Sequence, residues 1–203
     1  MIDLNSSLNH AAVRTAAAIA AFAAVAAVRL PAQESVPNAP KFNMAAYAGA
    51  SIPTGDLSDS FDSGFLLGAQ GTYDLSRHVG VLGSFDWTNP SNKLVPEDAG
   101  TNIYQANLGL EFGGARGNTK RWAMRPFMDV GGGVRSYDYS SNTLNKHTGG
   151  AGFASIGTDV AMGRSSLRLA ATDNVFSYES PMEDATHSTR NEVGLSLGFG
   201  FHP

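Results

Sequence analysis

From residue 42 onward, large apolar residues recur at every second position. Eight segments carry the rhythm: Phe42 to Ile52, Phe65 to Leu75, Val79 to Trp87, Ile103 to Phe112, Pro126 to Arg135, Phe153 to Met162, Leu167 to Thr172 and Glu192 to Phe201. In the last, Val193, Leu195, Leu197, Phe199 and Phe201 alternate with Glu192, Gly194, Ser196, Gly198 and Gly200. A period of two places these sets on opposite faces of a strand. No stretch after residue 42 holds a convincing helical period. The pattern predicts an all-β protein, an eight-stranded antiparallel up-and-down transmembrane barrel over 42–201. Asp173 follows the seventh segment and breaks its apolar row, so it reads as the end of that strand or as a bulge.

The second row decides which face is outside. It holds mostly Gly, Ser, Ala, Asn and Gln, with a few charges. A soluble barrel would turn this row to water and dress it in Lys, Glu, Thr and Arg. Small residues instead suit the bore of an eight-stranded barrel, which side chains just fill. The apolar row then meets hydrocarbon. Most segments have the length of about 9–11 residues that crosses a bilayer when tilted. Aromatics collect near the segment ends, as interfacial girdles require. Closure leaves no unpaired backbone edge in lipid.

Connections alternate in length. Long polar stretches follow the first, third, fifth and seventh segments, and short ones ("SRH", "GRS") follow the second and sixth. Long loops therefore gather at one end and turns at the other. The connection over 113–125 belongs to the turn end and is expected to be short, yet it is long.

Composition adds three constraints. The chain has 203 residues, 23 glycines and only 16% charged residues, a low fraction for a water-facing surface. A net charge of −4 gives no basic field for nucleic acid. The absence of cysteine removes disulfides, thiolate metal sites and thiol nucleophiles. Ahead of the barrel, Arg14 precedes an apolar run from Thr15 to Val28, and Leu30-Pro31-Ala32 is an acceptable cleavage site. Residues 1–32 read as a signal peptide cleaved near Ala32, and 33–41 as a flexible leader.

Three stretches carry a family resemblance: "AYAGASIPTGDLSDSFDSGFLLGAQGTYDLSRHVGVLGSFDW", the glycine-rich "RPFMDVGGGV", and "VGLSLGFGF" at the C-terminus. They resemble the small eight-stranded outer-membrane barrels of Gram-negative bacteria, the OmpA/OmpX-like outer-membrane β-barrel domains. The resemblance covers about residues 42–201. It implies a protein embedded in outer-membrane lipid and lipopolysaccharide. It also implies assembly through the C-terminal strand, with Phe199 and Phe201 as the recognition signal for the barrel-assembly machinery. The motifs are specific for architecture and weak for function.

Candidate chemistry lies on the inner row. Asp86, Glu111, Asp129, Arg135, Asp159 and Arg168 fall on neighbouring segments, all with inward parity. Buried charges must be paired, so these six read as a salt-bridged plug that fills the lumen and fixes register. The alternative is a narrow, porin-like ion pathway. Acidic residues outnumber basic ones inside, so water or cations are expected to share the balance. "THSTRNE", residues 186–192, offers His187, Ser188 and Glu192 to a lipid-modifying enzyme. As a polar loop with adjacent His and Ser it orients no imidazole, and it reads as a solvated loop. His10, His78 and His147 are isolated and give no metal spacing. The acidic loop runs "SDSFDS" and "PEDAG" read as solvated. The chain is thus expected to be non-enzymatic, with no cofactor or metal. A structural or surface-interaction role, in adhesion or protection, would then rest on its long extracellular loops. No external ligand is named by the residues.

Overall fold

A computed structural model describes residues 42–91, 93, 101–114, 123–139, 147–179 and 187–201. The expected signal peptide over 1–32 and leader over 33–41 lie outside the described residues. Eight strands follow one another: β1 (Phe42–Thr54), β2 (Gly64–Asp74), β3 (Val79–Asn89), β4 (Thr101–Gly113), β5 (Ala123–Tyr139), β6 (His147–Met162), β7 (Ser165–Glu179) and β8 (His187–Phe201). Each pairs antiparallel with the next, and β8 closes on β1. A short 3₁₀ turn, Gly55–Asp59, follows β1.

The register fixes the tilt. From Met44, backbone partners run through Gly71, Gly83, Leu108, Gly132, Gly152, Val175 and Asn191. They return to β1 at Thr54, ten residues beyond the start. A shear of this size on eight strands inclines each by about 40° to the barrel axis. The outward row of β1 from Phe42 to Ile52 then rises about 25 Å, the height of an outer-membrane apolar band. Phe42, Tyr73 and Phe201 edge the lower end of that band, and Phe65, Trp87 and Tyr104 the upper.

The apolar rows do point outward. Leu108 is 71% exposed and Met124 74%, and Phe65, Phe85, Leu197 and Phe199 are about half exposed. The buried set includes Asn43, Gln105, Asn107, Glu111, Asp129, Arg135 and Glu192. This inversion of burial is stable only against hydrocarbon.

Three details differ from the expectation. β7 does not end at Thr172 but runs on to Glu179. Asp173 is no bulge; it occupies a regular position in the ladder, opposite Ala154 and Val193, in the lipid-facing row. β5 begins at Ala123, so 123–125 belongs to a strand rather than to the turn. Strands β5 to β8 also reach further toward the long-loop end than the apolar rhythm does.

Candidate functional site

The lumen is filled by two charged layers, a small chamber between them, and an aromatic cap. The lower layer is centred on Arg168 of β7. Its Nη2 donates to Glu111 Oε2 at 3.0 Å and to Asp129 Oδ2 at 2.8 Å, and its Nη1 reaches both oxygens of Asp159 at 3.2 Å. The guanidinium lies 3.5 Å from the centre of the Phe127 ring. Arg125 joins the layer, donating to Asp159 Oδ2 at 2.7 Å and to Glu111 Oε1, while its Nε donates to the Gly114 carbonyl at 3.1 Å. Among the described residues, two guanidiniums thus face three carboxylates. Each cation is held by planar forks that fit carboxylate geometry.

The upper layer is an ion pair between Arg135 of β5 and Glu192 of β8, at 2.5 Å. Both residues are nearly inaccessible, at 2% each. Arg135 Nη1 also donates to Gln105 Oε1 at 2.9 Å, and Gln105 Nε2 donates to Asn107 and Asn174, both at 3.0 Å. The Phe176 ring covers the guanidinium, 4.0 Å from its centre.

Between the layers is a chamber of about 50 Å³. Tyr47 donates its hydroxyl to Asp86 Oδ1 at 2.5 Å, and Asn107 Nδ2 donates to Asp86 Oδ2 at 3.3 Å and to Ser84 Oγ at 3.2 Å. Ser155 and Thr172 share a hydrogen bond of 2.8 Å on the facing wall.

Above Arg135 the lumen turns apolar. Leu57 and Phe61, from the turn after β1, pack on Ile103, Tyr137, Tyr139, Phe176 and Tyr178. The turn is stitched to its neighbours: Asp62 N donates to the Ser91 carbonyl, Lys93 N to the Ser60 carbonyl, and Lys93 pairs with Asp62, all at 2.9 Å. Arg190 of β8 reaches Asp56 at 2.9 Å.

All six residues predicted for the lumen network lie inside the barrel. Glu111, Asp129, Asp159 and Arg168 come together in the lower layer. Arg135 stands apart in the upper one, and Asp86 faces the chamber. The sequence reading did not include Arg125 or Glu192 in the network. Arg125 shares parity with Asp129 and Arg135, but Pro126 marked the strand start, because proline is confined to strand beginnings, edges and bulges. Glu192 stands in "THSTRNE", which is not a solvated loop: residues 187–192 are the start of β8. Glu192 is committed to Arg135, and Ser188 Oγ accepts a hydrogen bond from Arg190 Nε at 3.0 Å. Among the described residues, no group of three or more His, Cys, Asp or Glu is arranged to hold a metal.

No protein-family model and no curated protein matches the chain. Solved structures do match. The crystal structure of Neisserial surface protein A is similar with a TM-score of 0.58 at 14% identity, covering 82% of this chain and all of that one. The outer membrane protein OprG of Pseudomonas aeruginosa is similar with a TM-score of 0.46 at 15% identity, covering 83% of this chain and 100% of that one. The outer membrane enzyme PagL is similar with a TM-score of 0.42 at 14% identity, over 78% of this chain and 98% of that one. The likeness is one of fold: the chain is a small eight-stranded barrel of the outer-membrane type.

Proposed function

We propose that this protein is an integral outer-membrane barrel with a sealed lumen. Its role is structural or surface-interacting, exercised by the long loops outside the cell, and it catalyses no reaction. The observation that carries the reading is the closure of the bore at three successive levels: the Arg168 layer, the Arg135–Glu192 pair and the Leu57–Phe61 cap. A sealed bore leaves the loop face as the part that meets the environment. Export by the signal over 1–32 and recognition of the last strand, with Phe199 and Phe201, by the barrel-assembly machinery belong to the same reading. So do outer-membrane lipid and lipopolysaccharide as the partners of the wall. The external ligand is a matter for binding assays on the loops.

The test is conductance. Purified protein refolded in detergent and reconstituted in planar bilayers is expected to give no steady unitary current. A steady, ion-selective conductance would overturn the sealed-lumen reading in favour of a narrow channel. A lipid A mass spectrum from expressing cells is expected to match that of cells without the gene. A new deacylated or acylated species would make the protein an enzyme.

A further inference from the structure

Two exposed arginines stand at the turn end, and the fold holds each at the tip of a tight connection. Arg77 lies between β2 and β3. Leu75 N and Ser76 N donate to the Val79 carbonyl at 2.9 and 3.0 Å, and Ser76 Oγ accepts from His78 N at 3.3 Å and Val79 N at 3.1 Å. The His78 carbonyl accepts from Gly113 N at 2.9 Å, which ties this turn to the end of β4. Arg164 follows Gly163 in the turn between β6 and β7, which the Met162–Ser165 pair closes.

The two turns are four strands apart in a ring of eight, so the arginines stand on opposite sides of the barrel. Tyr73 precedes Arg77 by four residues, and Leu167 follows Arg164 by three. Strands tilted by about 40° rise about 2.5 Å per residue along the axis. The tips therefore reach roughly 5 Å past the lower aromatic edge, into the headgroup layer that flanks the hydrocarbon.

The two ends of the barrel treat their cations differently. At the loop end, Lys93 is spent on Asp62 and Arg190 on Asp56, each at 2.9 Å. At the turn end, Arg77 and Arg164 make no hydrogen bond or ion pair to a described residue. Asp74, at the end of β2, accepts from Asn43 Nδ2 at 3.0 Å, and among the described residues no exposed carboxylate stands at this end.

We infer that Arg77 and Arg164 bind the phosphates of anionic glycerophospholipids in the leaflet at the turn end, one lipid on each side of the barrel. A guanidinium fork matches phosphate geometry, and its long stem lets the charge settle at headgroup depth. Anchors half a circumference apart resist both sliding and tilting of the barrel. The loop end has no unspent cation among the described residues, so the attraction belongs to one leaflet. The inference rests on the membrane reading proposed above and adds to it which lipid touches which residues.

The test is native mass spectrometry of lipid retained by the refolded protein. The protein is held in detergent micelles carrying equal amounts of phosphatidylglycerol and phosphatidylcholine. Phosphatidylglycerol is expected to be favoured about fivefold at each arginine, the factor that corresponds to about 1 kcal/mol per basic residue at an anionic surface. High salt should collapse the preference. Arg77→Gln and Arg164→Gln are each expected to remove one retained phosphatidylglycerol, and the double variant both. Lys93→Gln, at the loop end, should leave retention unchanged. All three positions are exposed, so the variants should keep the gel mobility shift on heating. Equal retention of the two lipids would overturn the inference, as would a preference that survives in the double variant or is lost in Lys93→Gln; each would leave the barrel reading standing. A chain with no heat-shifted band would strike the barrel reading itself, and this inference with it.

Discussion

Arg168 touches all three carboxylates of the lower layer, whereas Arg125 touches two. Removing Arg168 takes a guanidinium from Glu111, Asp129 and Asp159 at once, and breaking a buried ion pair from one side costs about 3–5 kcal/mol. Arg168→Met is therefore expected to lower stability by roughly that amount, read as a drop in the urea midpoint of the compact form. A double change that also neutralises Asp129 should recover part of the loss, because the stranded charge is its cause. Asp173 poses the opposite problem: it is a carboxylate in the lipid-facing row, with no hydrogen bond or ion pair to a described residue. Acidic residues on the lipid face destabilise by less than the about 2–4 kcal/mol of Arg or Lys at the midplane. Asp173→Val should raise stability by about 1 kcal/mol in the same urea titration, and a loss would show that the carboxylate has a partner in the membrane. Parity alone identified the six inward charges. It said nothing of which acid meets which base, since contacts across the lumen depend on shear and tilt rather than on position along one strand.

At the scale of strands, the lower halves were legible, residues 123–125 of β5 apart, and the upper halves of β5 to β8 were not. The reason is a change of phase. In β5 the apolar residues Met128, Val130 and Val134 point outward, but Tyr137 and Tyr139, at the opposite parity, are buried inside. In β7, Leu167, Leu169 and Ala171 share the outward row, and Phe176 and Tyr178 are buried on the other. Below the switch the outside is lipid and the inside polar. Above it the outside is water and the inside is the cap under Leu57 and Phe61. An apolar row followed in one phase ends at the switch, so β5 to β8 read too short. The bend in the pattern at Asp173 marks the approach to it. Inward glycines are the other device at this scale. A side chain at Gly157 would run into the Phe127 ring, and one at Gly131 would meet Phe153 Cε1 at 2.7 Å and the Gly109 backbone. Gly157 seats the Phe127 ring in the lower layer against Arg168, and Gly131 seats the Phe153 ring at the chamber. Gly157→Leu is expected to displace Phe127 from the face of Arg168 and to prevent heat-stable folding, judged by loss of the fast-migrating band on unheated gels. Gly163, in the turn between β6 and β7 at φ +71°, is needed for backbone conformation instead. Gly163→Ala should cost about 1–2 kcal/mol.

The whole molecule makes one claim on the membrane that can be measured directly, the height of its apolar band. The register places Leu67, Trp87 and Tyr104 side by side across β2, β3 and β4. The Trp87 indole donates to Asn102 Oδ1 at 3.0 Å, so its polar edge points to the rim while its ring faces lipid. That is the posture of an interfacial aromatic, apolar body in the acyl region and polar tip in the headgroups. The chain has two tryptophans, and Trp122→Phe leaves Trp87 as the single reporter. In proteoliposomes containing brominated phospholipids, its fluorescence should be quenched most by bromines near the glycerol backbone and least by those near the chain ends. The parallax between the two should set the indole about 10 Å from the midplane, as a band about 25 Å tall with Trp87 just inside its upper edge requires. Strongest quenching at the chain ends would place Trp87 at the bilayer centre. The upper halves of β5 to β8, with Ser136, Asp138 and Ser177 outward, would then be drawn into hydrocarbon, which their composition does not permit. No quenching at all would remove β3 from lipid contact and with it the outward reading of the apolar rows.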